Sequence, residues 1–139
     1  MDIIEIEASF FKLNLWPKVY KGASPYNMNL RVQVLSNNFS ANTEIDTGTL
    51  QFVEFIHQLL KMYNSLSGMA ELIGNDGQKI VFEATKTGHI KIIGNLRRFL
   101  MEEEFKLDFS VEVDQTDLSK SMNKLKRGML LYGVMNCAY

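Results

Sequence analysis

Few side chains in this sequence are equipped for chemistry, and their spacing assembles none of the familiar reactive centres. There are two histidines, His57 and His89, and one cysteine, Cys137. His57 falls in a segment of helical periodicity, with no second histidine one turn away as a helical zinc motif requires. His89 follows the turn glycine Gly88 and starts a strand-like run, where a partly exposed imidazole needs no function. Cys137 lies in the last stretch of the chain, and a thiol becomes a nucleophile only where neighbours lower its pKa. The serine elbow G-x-S-x-G, the dinucleotide loop G-x-G-x-x-G and the phosphate loop are all missing. Gly74, Gly77, Gly88 and Gly94 are dispersed among predicted turns instead. We therefore expect no catalytic residue, no metal ligand set and no cofactor, and hence no enzyme.

Residues suited to binding stand out more. Trp16, Tyr20 and Tyr26 lie near Lys18 and Lys21 in a stretch, Trp16 to Tyr26, that holds both prolines of the chain and reads as a loop. Exposed aromatic residues are enriched in binding surfaces, although Trp16 and Tyr26 would equally serve to pack a sheet edge. Glu102, Glu103 and Glu104 form the densest acidic run. Such a run is commonly a solvated loop, and it also suits a basic partner. Basic residues are spread out except at Arg97-Arg98 and in the last helix, and the aromatic interleaving of RNA-binding strands is missing. No nucleic acid is expected as a partner.

The elements that must position these residues follow from periodicity. Ile4, Ile6 and Ala8 alternate with Glu5 and Glu7; then Phe11, Leu13 and Leu15 alternate with Lys12 and Asn14, the phase slipping near Ser9-Phe10 in a bulge or a tight turn. Leu30, Val32 and Val34 lead through Ser36-Asn37-Asn38 into a return strand, Phe39 to Ile45, making a hairpin. Asp46-Thr47 supplies an N-cap for a helix carrying Leu50, Val53, Ile56, Leu59, Leu60 and Tyr63 on its apolar side, an arc that Phe52 and Phe55 widen. Strands are predicted at Met69 to Ile73, Lys79 to Ala84 and His89 to Ile93, while Asn95 to Glu104 fits either a strand or an irregular turn. From Phe105 to Val113 the alternation is the most regular in the chain, with one buried and one wet face, as antiparallel sheets permit. Asp114 or Thr116 caps a last helix striped by Leu118, Met122, Leu125 and Met129.

These elements predict an α+β fold: an antiparallel β-sheet of about six to eight strands with two α-helices packed on one face. The 139 residues suffice for a single domain, 1–139. An apolar fraction of 46% against 22% charged excludes a disordered chain. The formal net charge of −1 gives no general attraction to nucleic acid or to anionic membrane. No apolar run is long enough to span a bilayer, and Met1 to Glu7 has neither the basic start nor the apolar run of a signal peptide. With a lone cysteine the fold needs no oxidising compartment, and the cytoplasm is the expected location.

The run Tyr26-Asn27-Met28-Asn29-Leu30-Arg31-Val32-Gln33-Val34 resembles the WapI-type immunity proteins of bacteria. So do Phe39-Ser40-Ala41, the helix opening from Thr47 through Thr49-Leu50 to Ile56, and the strand–helix junction from Phe105-Lys106-Leu107-Asp108-Phe109 through Asp114 to Leu118. The similarity extends from about Phe11 to about Leu130. It implies a small cytoplasmic protein that binds and neutralises a cognate toxin domain, often a nuclease, encoded beside it. Two readings then stand. The chain is an interaction protein anchored by Trp16, Tyr20 and Tyr26 and steered by Glu102, Glu103 and Glu104, or it is a small-ligand binder or unrecognised enzyme with a pocket near His57 or His89. Exposed sheet edges and eight methionines leave room for a homodimer in either case.

Overall fold

In a computed structural model, which describes residues 4–20 and 27–131, the phase slip at Ser9-Phe10 is a tight turn. It folds β1 (Ile4–Ala8) back onto β2 (Phe11–Val19), with Ala8 opposite Phe11 and Ile4 opposite Leu15. β3 (Met28–Ser36) and β4 (Phe39–Thr47) extend this into a four-stranded antiparallel meander. Asn37, at φ 52, makes the tight β3–β4 turn, since asparagine tolerates the left-handed region better than most side chains. A second meander of β5 (Met69–Ile73), β6 (Lys79–Ala84), β7 (His89–Leu100) and β8 (Glu103–Asp114) follows α1 (Thr49–Ser65), and α2 (Gln115–Leu131) closes the order. The α+β class, with eight antiparallel strands among the described residues, is thus as expected, but these strands form two four-stranded sheets where a single sheet was predicted.

Several local expectations are corrected or resolved. The stretch from Trp16 to Val19 belongs to β2, not to a loop. Leu13, Leu15 and Pro17 keep the inward phase, and Pro17 stands opposite Leu30 after the described pairing with β1 has stopped at Leu15, where a missing N–H is tolerated. Asn95 to Leu100 continues β7, so that Glu103 and Glu104 open β8 rather than precede it. The N-cap of α1 is Gly48, without a side-chain cap. Asn27 caps it from just ahead of the neighbouring strand, where Met28 pairs with Thr47; its Oδ1 accepts hydrogen bonds from Thr49 N at 2.8 Å and Thr49 Oγ1 at 2.9 Å. That bond satisfies one of the amides a helix start leaves unpaired. Leu50, expected on the apolar side of α1, is exposed, whereas Phe52 and Phe55 are buried as expected and Met62 joins them.

One hydrophobic cluster draws on both sheets and both helices, with Leu13, Leu30, Phe55, Phe82, Ile92 and Leu118 among its members. The helices also cover strand edges. Glu71 N of the edge strand β5 donates to Gln58 Oε1 of α1, and Glu7 N of the edge strand β1 donates to Ser121 Oγ of α2. Pairing an edge amide with a helix side chain blocks it from templating another strand. Gly94 of β7 lies under the Phe109 ring so closely that a Cβ would collide with it, and the same ring meets Phe11 of the first sheet at 5.7 Å between centroids.

The two sheets are stitched at Gln78, which is 1% exposed. Its Nε2 donates to Glu44 O at 2.9 Å, and its Oε1 accepts from Arg97 N at 2.8 Å, with Thr43 Oγ1 3.4 Å away. Thr43 Oγ1 also lies 2.6 Å from Arg97 O, to which it donates. Gln78 precedes β6, so beyond the end of the β6–β7 ladder the main chain at Arg97 is held by side chains from β4 and from the β5–β6 turn. A buried amide with both ends engaged pins these segments without leaving an unsatisfied group.

Candidate partner-binding surface

The strand from Glu103 to Asp114 does not bury its apolar face evenly. Val113 is 1% exposed, Val111, Phe109 and Leu107 are half-buried against the core, and Phe105 is 57% exposed. β7 and β8 therefore run past the core as a hairpin whose end projects apolar side chains. Phe99 is 60% exposed and Met101, in the two-residue turn Met101-Glu102, is 99% exposed. Met101 has φ 58, a conformation that glycine or asparagine adopts at much lower cost. Glu102, Glu103 and Glu104 surround these residues and are all exposed. Glu104 stands opposite Phe99 in the register and 3.9 Å from Lys106 Nζ. The acidic run is thus flanked by exposed apolar side chains, a combination the ambiguous reading of Asn95 to Glu104 had hidden. The signal was present in Phe99, Leu100 and Met101, an apolar run meeting three carboxylates with no glycine or asparagine to account for the turn.

Trp16 is half-buried on the outward face of the first sheet. In the register it stands opposite Arg31, which in turn stands opposite Glu44, so the three form a row across β2, β3 and β4. Tyr20 is exposed just past the end of β2, with Lys18 Nζ 5.5 Å from its ring centroid. Tyr26 lies outside the described residues, as does Cys137. Among the described residues no hydrogen bond or ion pair links Trp16 or Tyr20 with Glu102, Glu103 or Glu104.

The histidines sit apart from one another. His89 Nδ1 lies 3.1 Å from Glu112 Oε1 and 3.1 Å from Thr87 Oγ1 on the surface of the second sheet. His57 is half-buried on α1. Neither lines the polar cleft of about 470 Å³ between the sheets, the apolar cleft of about 300 Å³ lined by Phe39 and Phe109, or the smaller cleft of about 140 Å³ beside α2. Among the described residues no group of three or more histidine, cysteine, aspartate or glutamate side chains converges as a metal site would need. No described helix is long and apolar enough to cross a membrane.

The Asp114 carboxylate is shifted. Hydrogen bonds from Thr116 N and Thr116 Oγ1, both 3.1 Å from Asp114 Oδ1, hold the Asp114 carboxyl below its ordinary range, and His89 adds to this. Asp114 is therefore the N-cap of α2, a structural role.

Residues 3–133 match the model of a protein family described as the immunity protein WapI-like family. None of the curated proteins matches the chain.

Proposed function

The chain belongs to the immunity protein WapI-like family, and on that premise we propose that it binds a cognate toxin domain in the bacterial cytoplasm and neutralises it by occupying its surface. The family match over residues 3–133 carries this reading. The toxin proposed is a nuclease, whose substrate-binding face must be basic to hold phosphates. The exposed carboxylates of Glu102, Glu103 and Glu104 suit such a face, and Phe99, Met101 and Phe105 beside them supply the apolar anchors that dominate binding energy. Trp16 and Tyr20 form a second part of the surface, and Tyr26 is proposed to join them. Inhibition of this kind needs no catalytic residue, and none is assigned. Residues 1–139 act as one domain in this reading, which the hydrophobic cluster shared by both sheets supports.

The left-handed backbone at Met101 favours the hairpin end over other surfaces. Strain at a fully exposed side chain brings no packing in return, and such strain gathers where function demands the side chain. The experiment is co-expression with the toxin domain encoded beside this gene. Growth is expected to recover with the wild type and to fail when Phe99, Met101 and Phe105 are all replaced by serine. Death of cells that hold abundant folded wild-type protein would sink the proposal, and full protection by the triple variant would remove the hairpin from it.

A further inference from the structure

The cleft of about 470 Å³ between the sheets is lined by three arginines, Arg31, Arg97 and Arg98, together with Glu44, Asp76 and Phe99. None of the three guanidinium groups makes an ion pair among the described residues. The carboxylates nearby are engaged elsewhere. Asp76 accepts from Gln78 N at 3.2 Å and from Gln78 Nε2 at 2.7 Å, and Glu44 Oε2 accepts from Asn29 Nδ2 at 3.4 Å. Arg97 is half-buried and its main chain is clamped at both N and O by Gln78 and Thr43, so its side chain departs from a fixed point. Unpaired guanidinium groups on a rigid floor are preorganised for a planar anion, which they hold by paired N–H bonds.

We infer that this cleft receives a carboxylate-bearing segment of the toxin, an inference that rests on the immunity reading above. Phosphate shares the fork geometry, but a nucleic-acid backbone passing through would meet Glu44 and Asp76 in the cleft and the acidic run beyond Phe99. A side-chain carboxylate is compact enough to avoid them. Phe99 lines the cleft and is also part of the exposed hairpin end, so one partner would touch both. Trp16 adjoins through its row with Arg31. The surface then offers cations in the cleft and anions on the hairpin, a pattern that sets the partner's orientation as well as its encounter rate.

The test uses the full-length protein and a variant, R31Q/R98Q, whose exposed side chains can change without disturbing the core. Arginine Nε–H resonances are followed while tetraglutamate peptide, inorganic phosphate or a short single-stranded RNA is added, and affinity for the adjacent toxin domain is measured in parallel. The peptide is expected to shift the resonances of the wild type, and the variant to bind toxin about tenfold more weakly at an unchanged melting temperature, as the loss of charge-assisted contacts dictates. Equal toxin affinity of variant and wild type would overturn the cleft assignment while leaving the immunity reading intact. Shifts with RNA or phosphate but none with the peptide would overturn the carboxylate as occupant. A wild type whose resonances respond to the peptide but which does not bind the toxin would overturn the immunity reading and the toxin as source, with the cleft retained as a carboxylate site.

Discussion

At the scale of single residues, two polar side chains decide more than their sequence context reveals. Gln78 ties Glu44, Arg97 and Thr43 together from a fully buried position. Replacing it with leucine would strand an amide and a carbonyl, and we expect a loss of about 3 kcal/mol in urea unfolding. A smaller loss, within the range of an ordinary surface change, would show that the sheets are joined by packing alone. Asp114 presents the opposite case, an exposed cap with a depressed pKa. Because its folded pKa lies below the ordinary 3.8, the stability it contributes is complete above that value and is lost as pH falls through the folded pKa. Asp114→Asn is therefore expected to flatten the acid limb of the stability profile, measured by thermal melts from neutral pH down to strongly acid solution. An unaltered acid limb would move the titration to another carboxylate.

At the scale of elements, the β7–β8 hairpin is built against its own local interest. Its turn places Met101 at φ 58, and its end leaves Phe99 and Phe105 in solvent. Met101→Gly relieves the backbone and should raise stability by about 1 kcal/mol. The same change should weaken toxin protection, because it removes a side chain proposed to anchor the partner. A variant that is more stable and equally protective would show that Met101 is tolerated rather than used. How much of this was legible varies along the chain. The β3–β4 hairpin, β5 and β6 follow directly from alternation and turn residues, while the cap of α2 was narrowed to Asp114 or Thr116, between which the hydrogen bonds to Asp114 decide. The extension of β2 through Trp16 and Pro17 does not, because prolines signal loops unless the partner strand is known to leave their amide position free. Nor does the cap of α1, since Asn27 reaches it across twenty-two positions of sequence.

At the scale of the whole molecule, the near-neutral formal charge of −1 conceals a divided surface. Carboxylates gather on the hairpin, while three guanidinium groups line the cleft behind it. Glu102, Glu103 and Glu104 should act mainly on the rate of encounter. Their joint replacement by glutamine is expected to slow association with a basic toxin roughly tenfold at low salt and to flatten its salt dependence, with little effect on dissociation. Stopped-flow association across a salt series measures both. Salt dependence equal to that of the wild type would remove the acidic run from the interface.

The sequence by itself determined the α+β class, most of the strand phases, the lack of motifs for chemistry and the family. These depend on near neighbours: alternation sets which face of a strand is buried, and a motif is a matter of spacing. Only the tertiary structure decided that the strands part into two sheets, that Gln78 joins them, and that Arg31 comes to the same cleft as Arg97 and Arg98. Those facts depend on residues distant in sequence meeting in space, and Arg31 on β3 carries no mark of its partners on β7. Burial along β8 makes the same point. Alternation shows which side chains share a face, but only the extent of the opposing core decides where along the strand that face meets water.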